Sequence, residues 1–128
     1  LKHLDEYIEQ RQRAAQFYDN AFINKAKIII PQRSEYSSHS FHQYTIQLEG
    51  VDHFEVQKQL KEKGIPSMIY YPVPLHLQKA YQDNRYKEGD FPVAEKLCKT
   101  VLSLPMHTEL DEEQLNYITT ELLKIVGE

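Results

Sequence analysis

The sequence predicts a small two-layer α/β sandwich, in which helices pack mainly on one face of a three- to four-stranded sheet. Three observations support this class. Apolar residues recur at helical spacing near both ends of the chain, short β-branched or alternating runs lie between them, and no repeat or linker divides the sequence. A chain of 128 residues fits a single domain, 1–128.

The first half of the chain is predicted to run helix, strand, strand, helix. Apolar residues at 3.6-residue spacing cover 1–22, and a β-branched run at 27–30 stops at a proline, which is typical of an edge strand. Alternation over 39–48 predicts a half-buried strand. Asp52 then opens a helix that closes at Gly64.

The second half is predicted to run strand, loop, helix, strand and helix, over 67–71, 72–89, 91–99, 101–104 and 112–126. The loop is long and irregular and has room for one helical turn. Asp90 is the predicted N-cap of the helix that follows it. Asp111 and Gln114 have the spacing of a capping box at the start of the last helix. Cys98 shares a helical stripe with Ala94 and is predicted to be a buried small hydrophobe.

Composition and charge exclude several classes of protein. The net charge of −4 and the pI of about 5.9 give no basic patch for nucleic acid or for an anionic membrane. The single cysteine excludes a disulfide framework and is compatible with a reducing cytoplasm. No apolar run approaches the roughly 18 residues that a membrane span needs. The chain begins at Leu1 inside a helical pattern, which indicates a piece of a longer protein; a processed chain is the alternative.

No self-contained catalytic motif is present. The four glycines are scattered, so they build no phosphate loop, and there is no metalloprotease helix or nucleophile elbow. His39 and His42 form a His-x-x-His pair, but on a strand they point to opposite faces, which argues against a shared metal ion. Two hydrogen-bonded histidines at a sheet edge fit better, and a site-lining role for one of them stays open.

The segment from Tyr70 to His76 is the sharpest chemical feature. Two tyrosines end a strand, two prolines stiffen the exit, and a histidine follows. Prolines restrict φ and lower the entropy of a loop, so polar rings there are held in place. Adjacent strand residues face opposite ways, so one tyrosine is expected to pack in the core. A rigid packing corner is the alternative to a binding site.

Six segments together resemble a known family. They are RQRAAQFY (11–18), HSFHQYTI (39–46), GIPS (64–67), YYPVPLHLQKAY (70–81), GDFPVAE (89–95) and LSLPMH (102–107). In this order and spacing the chain resembles the C-terminal domain of DegT-family sugar-nucleotide aminotransferases, which have the aspartate aminotransferase fold.

The resemblance implies an enzyme that moves an amino group from glutamate to a nucleotide-linked keto-sugar, for surface polysaccharide or amino-sugar synthesis. It implies pyridoxal phosphate held by a lysine of a larger N-terminal domain outside this chain, a homodimeric full-length protein and a cytoplasmic location. The chain alone is then expected to be catalytically silent and monomeric. The implied substrate-side residues are Tyr70, Tyr71, His76 and His39; no catalytic, cofactor-binding or metal-binding residue is assigned.

Two departures from the family pattern matter. Many members carry histidine where Tyr70 stands; tyrosine can still donate a hydrogen bond but does not change charge near neutral pH. Many also carry an arginine near Val51 and Asp52, which this chain lacks. Arg33 and Arg85 are the available cations for a donor carboxylate, and no motif selects either. A non-catalytic binding or regulatory module of the same fold, and a purely structural domain, are the competing readings.

Overall fold

The computed structural model describes residues 2–81 and 83–128. Its elements, in chain order, are α1 (Leu4–Phe22), β1 (Ile28–Ile29), β2 (Tyr44–Leu48), α2 (His53–Glu62), α3 (Pro92–Thr100), β3 (Val101–Leu104) and α4 (Glu112–Val126). Two single 3₁₀ turns, Leu75–Leu77 and Lys79–Tyr81, lie between α2 and α3. The predicted α/β class is confirmed. Leu1 of the predicted first helix and Gln82 of the predicted loop lie outside the described residues.

The strands form one antiparallel sheet in the order β1–β2–β3. The central strand β2 pairs Leu48 with Ile28 of β1 and Ile46 with Leu102 of β3. β1 is therefore the edge strand that the following proline predicted.

The predicted strand over 67–71 is wrong except at one residue. Met68 alone pairs, through an antiparallel bridge to Ser103. Pro66 lacks an N–H and cannot donate a ladder hydrogen bond, which stops the pairing on that side of Met68. The sheet thus has three strands and one bridging residue within the described chain.

One face of the sheet carries the core. Alternation along β2 turns Tyr44, Ile46 and Leu48 toward this face, and all three are fully buried. Buried residues of α1, α2 and α4 pack on them, among them Tyr18, Phe22, Leu60 and Leu122. Each large apolar side chain that is fully buried contributes about 1.5–3 kcal/mol. This shared cluster holds the helical layer to the sheet, as the predicted two-layer sandwich requires.

The strand predicted over 39–48 begins only at Tyr44. Phe41 adopts a left-handed backbone conformation (φ +48°), which interrupts the extended chain ahead of β2. Its ring is buried and packs 6.2 Å from the ring of Tyr44. Burial of the Phe41 ring offsets the cost of this conformation, and the first half of the predicted strand becomes a bend that presents His39 and His42 to solvent.

The last helix follows the sequence prediction at both ends. Asp111 Oδ1 accepts the Gln114 N–H at 2.8 Å, and Gln114 Oε1 accepts the Asp111 N–H at 3.1 Å, which completes the capping box. Gly127 ends the helix at φ +74°, a conformation that costs glycine little.

Helix α3 departs from the prediction in two ways. Asp90 does not cap it: its carboxylate accepts the Lys87 N–H at 2.9 Å, and Phe91 occupies the N-cap position without a side-chain hydrogen bond. Cys98 is half-buried rather than buried, and Ala94 is exposed. The exposure of Cys98 and Ala94 follows because the apolar residues of α3 pack at the surface of the sandwich and outside its core.

Candidate functional site

The chain that follows Met68 brings two tyrosines to the surface beside the sheet. Met68 and Ser103 exchange two backbone hydrogen bonds of 2.9 Å, and Ile69 is buried. Tyr70 and Tyr71 come next, 49% and 75% exposed, with ring centroids 6.5 Å apart. The expectation that one of them packs in the core is wrong, because both rings are largely exposed.

Tyr70 lines a cleft of about 270 Å³ beside β3. Its other lining residues include His42, Gln43, Met106 and His107. A phenol, two imidazoles and an amide therefore face one cavity together with apolar thioether surface. Such a mixture can hydrogen-bond hydroxyl groups and also pack against a ring face.

Backbone contacts set the tautomer of two surface histidines. His39 Nδ1 accepts the Phe41 N–H at 2.8 Å, and His107 Nδ1 accepts the Glu109 N–H at 3.2 Å. A neutral imidazole that accepts at Nδ1 carries its proton on Nε2. Both rings therefore offer an Nε2–H donor, and an acceptor-rich ligand is the match for such a surface.

His39 and Tyr70 line adjoining clefts. His39 lies on a cavity of about 290 Å³ whose wall also contains His42 and Gln43, and these same two residues line the Tyr70 cleft. The Gln12 amide donates to the His39 carbonyl oxygen at 3.0 Å, which fixes the bend to α1. The structure thus brings two predicted site residues, His39 and Tyr70, to adjoining clefts, and the Tyr71 ring lies 6.5 Å from the Tyr70 ring.

His76 lies in a different environment. Only 9% of its side chain is exposed, and its Nε2 is 3.0 Å from Glu95 Oε1. Its ring lies 4.7 Å from the ring of Phe91 and lines a separate cleft of about 650 Å³ with Tyr81 and Tyr86. Because Nε2 already contacts Glu95, a ligand could reach only the Nδ1 atom of His76. His76 and Tyr70 line different clefts.

Both candidate arginines already have a carboxylate partner. Arg33 Nε donates to Asp19 Oδ2 at 2.7 Å, and the Tyr44 hydroxyl donates to Asp19 Oδ1 at 2.7 Å. Arg85 forms a two-point contact with Asp83 at 3.0 and 2.8 Å on the surface. Arg33 therefore belongs to the architecture of the domain, while Arg85 sits in an exposed pair that water and salt weaken.

The Asp83–Arg85 pair also shifts its own ionisation. Hydrogen bonds from the Arg85 side chain, and then from the Arg85 backbone N–H, lower the pKa of Asp83 below its ordinary value. The same side-chain contact raises the pKa of Arg85. The two groups therefore stay charged at neutral pH.

Two further findings concern metals and membranes. Within residues 2–81 and 83–128, no group of three or more His, Cys, Asp or Glu side chains is placed to hold a metal ion. Of the helices in those ranges, none combines the length and the apolar character that a bilayer crossing requires.

Glu95 and His107 lie in two of the segments that carry the family resemblance, 89–95 and 102–107, but neither was predicted as a site residue. The carboxylate of Glu95 accepts the backbone N–H of Gly89 and of Phe91 in addition to its contact with His76. An acidic residue in the first turn of a helix was the available signal, but the spacing favoured Asp90. No residue spacing indicated a site role for His107, since only the fold brings the end of β3 beside Tyr70.

These features define a class: a small α/β domain, with a three-stranded antiparallel sheet, of the kind that pyridoxal-phosphate aminotransferases carry beside a larger domain. The chain belongs to the DegT/DnrJ/EryC1/StrS aminotransferase family, whose model matches residues 1–123.

The relatives agree in sequence and in structure. The chain is 43% identical to a "Pleiotropic regulatory protein" of Geobacillus stearothermophilus, over 94% of this chain and 32% of that protein. It is 42% identical to the UDP-N-acetyl-3-dehydro-alpha-D-glucosamine 3-aminotransferase of Acidithiobacillus ferrooxidans, over 92% of this chain and 31% of that one. The crystal structure of S. venezuelae DesV with a ketimine intermediate superposes with a TM-score of 0.91 at 28% identity, over 100% of this chain and 34% of that chain. The chain thus spans about a third of the length of the curated relatives it matches.

None of the lysines in residues 2–81 and 83–128 lies in an enclosed pocket of the described structure. A Schiff-base lysine acts from an enclosed pocket, where desolvation keeps its amine reactive. Every lysine of this chain falls within the described residues, and each of them is exposed or half-buried.

Proposed function

We propose that this chain is the C-terminal small domain of an aminotransferase that moves an amino group from glutamate to a nucleotide-linked keto-sugar, for polysaccharide or amino-sugar synthesis. Its membership of the family and the nucleotide-sugar names of several relatives support this substrate class. The observation that carries the proposal is the pair of exposed tyrosines on a segment tied to the sheet, beside a cleft with imidazole donors.

Tyr70 and Tyr71 are the proposed sugar contacts, with His39 at the neighbouring cleft. A tyrosine offers a flat apolar face for a sugar ring and a hydroxyl for its oxygens. The Nε2–H groups of His39 and His107 suit the hydroxyl and phosphate oxygens of a nucleotide sugar. In this proposal the domain positions the keto-sugar and excludes water, which favours transfer over hydrolysis.

The cofactor is proposed to lie outside this chain, in an N-terminal large domain. When bound there, pyridoxal phosphate supplies the electron sink for amino transfer. The absence of a buried lysine among the described residues supports this division. We also propose a homodimer for the whole protein and a cytoplasmic location; the single cysteine is compatible with a reducing compartment.

Tyr70→Phe in the full-length protein tests the sugar contact. The change removes one hydroxyl and keeps the ring, so a neutral hydrogen bond of about 0.5–1.5 kcal/mol is lost, up to about tenfold in kcat/KM for the keto-sugar. The glutamate half-reaction, followed by the cofactor spectrum in the absence of sugar, is expected to stay unchanged. Tyr36→Phe is the matched control, because Tyr36 is 95% exposed and lies far from β3 in sequence.

The comparison of the two half-reactions distinguishes a lost sugar contact from general damage to the domain. A loosened or misfolded domain would impair both halves, whereas a lost sugar contact impairs one. Equal small effects of Tyr70→Phe and Tyr71→Phe on both half-reactions would show that the segment is scaffold.

A regulatory module is the second candidate. Two relatives favour it by name, the "Pleiotropic regulatory protein" at 43% identity and the "Erythromycin biosynthesis sensory transduction protein EryC1" at 34%. A module of this kind would keep the fold and bind ligand without transfer. The residue at the Schiff-base position of the full-length protein separates the two: a lysine that can be trapped by borohydride favours the transaminase, and another residue favours the module.

A further inference from the structure

Glu95 collects hydrogen bonds from three separate points of the loop that precedes α3. Its carboxylate contacts His76 Nε2 at 3.0 Å, the Gly89 N–H at 2.9 Å and the Phe91 N–H at 3.3 Å. Only 10% of the side chain is exposed. A buried carboxylate needs these donors, because without them its charge would be buried and uncompensated. The contact therefore holds the three donor groups in place around Glu95.

His76 is the distant member of this cluster, 19 positions from Glu95 in the chain. The contact therefore closes the loop onto the first turn of α3. The Phe91 ring packs against the His76 ring in a tilted arrangement, with ring centroids 4.7 Å apart. The Leu77 N–H bonds to the Pro74 carbonyl at 2.9 Å, and the Gln78 side chain bonds to the Val73 carbonyl at 3.2 Å.

The two tyrosines lie between two anchors. Met68 is tied to β3 by its bridge to Ser103, and His76 is tied to α3 by Glu95. Tyr70 and Tyr71 occupy the short span between them, which two prolines stiffen. Neither tyrosine ring is held by burial, so the position of both depends on these anchors.

We propose that the Glu95–His76 contact is a clasp that positions Tyr70 and Tyr71, so that Glu95 and His76 act on the sugar half-reaction without touching the sugar. The proposal rests on the proposed function of the tyrosines. It replaces a direct substrate contact for His76 by a positioning role.

The expected effect follows from chain entropy. Without the clasp, the span from Met68 runs to the start of α3, roughly three times farther along the chain. The probability that a flexible span returns to one geometry falls with the 3/2 power of its length, which gives a loss of about fivefold in productive placement of the tyrosines.

The ionisation of Glu95 agrees with the geometry. Burial alone would raise its pKa, but hydrogen bonds from Gly89 and Phe91 and the contact with His76 outweigh burial and lower the pKa below its usual range. Glu95 is therefore an anion at neutral pH and accepts from every donor around it. A glutamine would present an N–H to at least one of those donors.

The test compares Glu95→Ala and Glu95→Gln with Glu88→Gln in the full-length protein. Glu88 belongs to the same loop, but its carboxylate lies on the surface, 3.9 Å from Lys99 Nζ. Hydrogen exchange by mass spectrometry should rise in peptides that cover 69–78 and 88–91 in both Glu95 variants. It should stay unchanged in β2 and α4, and in the Glu88 control. KM for the keto-sugar should rise about fivefold, while the glutamate half-reaction stays as in the wild type.

His76 supplies an independent pair of variants. His76→Gln keeps a side-chain N–H that can donate to Glu95, and His76→Leu keeps volume without a donor. The clasp requires that the glutamine variant retain most of the sugar activity and that the leucine variant match Glu95→Ala.

Three results would overturn the proposal. Unchanged hydrogen exchange at 69–78 in Glu95→Ala would show that the Glu95–His76 contact does not hold this segment, whatever the function of the protein. Faster exchange in Glu95→Ala with unchanged kinetics for the keto-sugar, while Tyr70→Phe slows the sugar half-reaction, would refute the positioning role of the contact and leave the proposed function intact. Faster exchange with no kinetic effect of any variant, Tyr70→Phe and Tyr71→Phe included, removes the proposed function of the segment and the positioning role with it.

Discussion

Two buried tyrosine hydroxyls offer a matched pair of perturbations. Tyr44 and Tyr18 are both fully buried, and their rings lie 4.8 Å apart in the same cluster. The Tyr44 hydroxyl donates to a carboxylate, Asp19 Oδ1, at 2.7 Å. The Tyr18 hydroxyl donates to a neutral carbonyl, that of Pro105, at 2.9 Å. Phenylalanine at either position removes one hydroxyl and keeps the ring.

The acceptor decides the magnitude. A hydrogen bond to a charged group contributes about 1.5–3 kcal/mol, and one to a neutral group about 0.5–1.5 kcal/mol. Because the ring burial is equal, the difference between Tyr44→Phe and Tyr18→Phe reports the charge of Asp19. We expect Tyr44→Phe to lower the free energy of unfolding by about 1–1.5 kcal/mol more than Tyr18→Phe. For a chain of this size that corresponds to roughly 3–7 °C in Tm.

Urea unfolding of the 128-residue chain, followed by circular dichroism, measures both variants. The slope m should be the same in wild type and variants, so that a shift of the midpoint reports stability alone. Equal losses of unfolding free energy in the two variants, or a larger loss in Tyr18→Phe, would falsify the reasoning. The hydrogen bond from Tyr44 to the Asp19 carboxylate would then be no stronger than the bond from Tyr18 to a neutral carbonyl.

The remaining predictions concern pH, the cofactor and association. Burial lowers the pKa of His53, against a smaller opposing effect of Asp52, and His53 Nε2 has no hydrogen-bond partner among the described residues. The stability it contributes is present above the unfolded-state pKa of about 6.5 and is lost as the pH falls toward the lower folded-state value. Tm should therefore drop between pH 7 and pH 5, and less so in His53→Leu; identical pH profiles would contradict this. Mixing the chain with pyridoxal phosphate and reducing with borohydride should label no single lysine stoichiometrically, because none is buried; one dominant labelled site in peptide mapping would oppose it. Sedimentation should show that this chain alone is a monomer or associates weakly, and a tight dimer at every concentration would contradict this expectation.

Much of the fold could be predicted from local pattern. Periodicity placed all four helices of the described chain and strands β1 and β3 within a few residues. These segments succeed because each pattern reflects burial of one face, which is a property of neighbours in the sequence. The Asp111 capping box and the Gly127 terminus succeed for the same reason, since a helix end is satisfied by groups three or four residues away.

The candidate site could be predicted only in part. The motif Tyr70–His76 indicated a segment that lies beside the sheet, but it did not distinguish an exposed ring from a buried one. The predicted strand would have turned the two tyrosines to opposite faces of the sheet. Only Met68 of that segment pairs with β3, and both tyrosines are exposed. Their contact with substrate stays a prediction, as does that of His39, while His76 is proposed to position them.

What the sequence determined by itself is the order of elements, most helix ends and membership of a family, because each depends on residues close together in the chain or on motifs in fixed order. What only the tertiary structure decided is the partner of each polar group. Asp19 meets Tyr44 and Arg33, and Glu95 rather than Asp90 holds the loop. The physical reason is that a buried carboxylate must take its donors from whatever the fold brings near, and those donors come from segments that no local pattern connects.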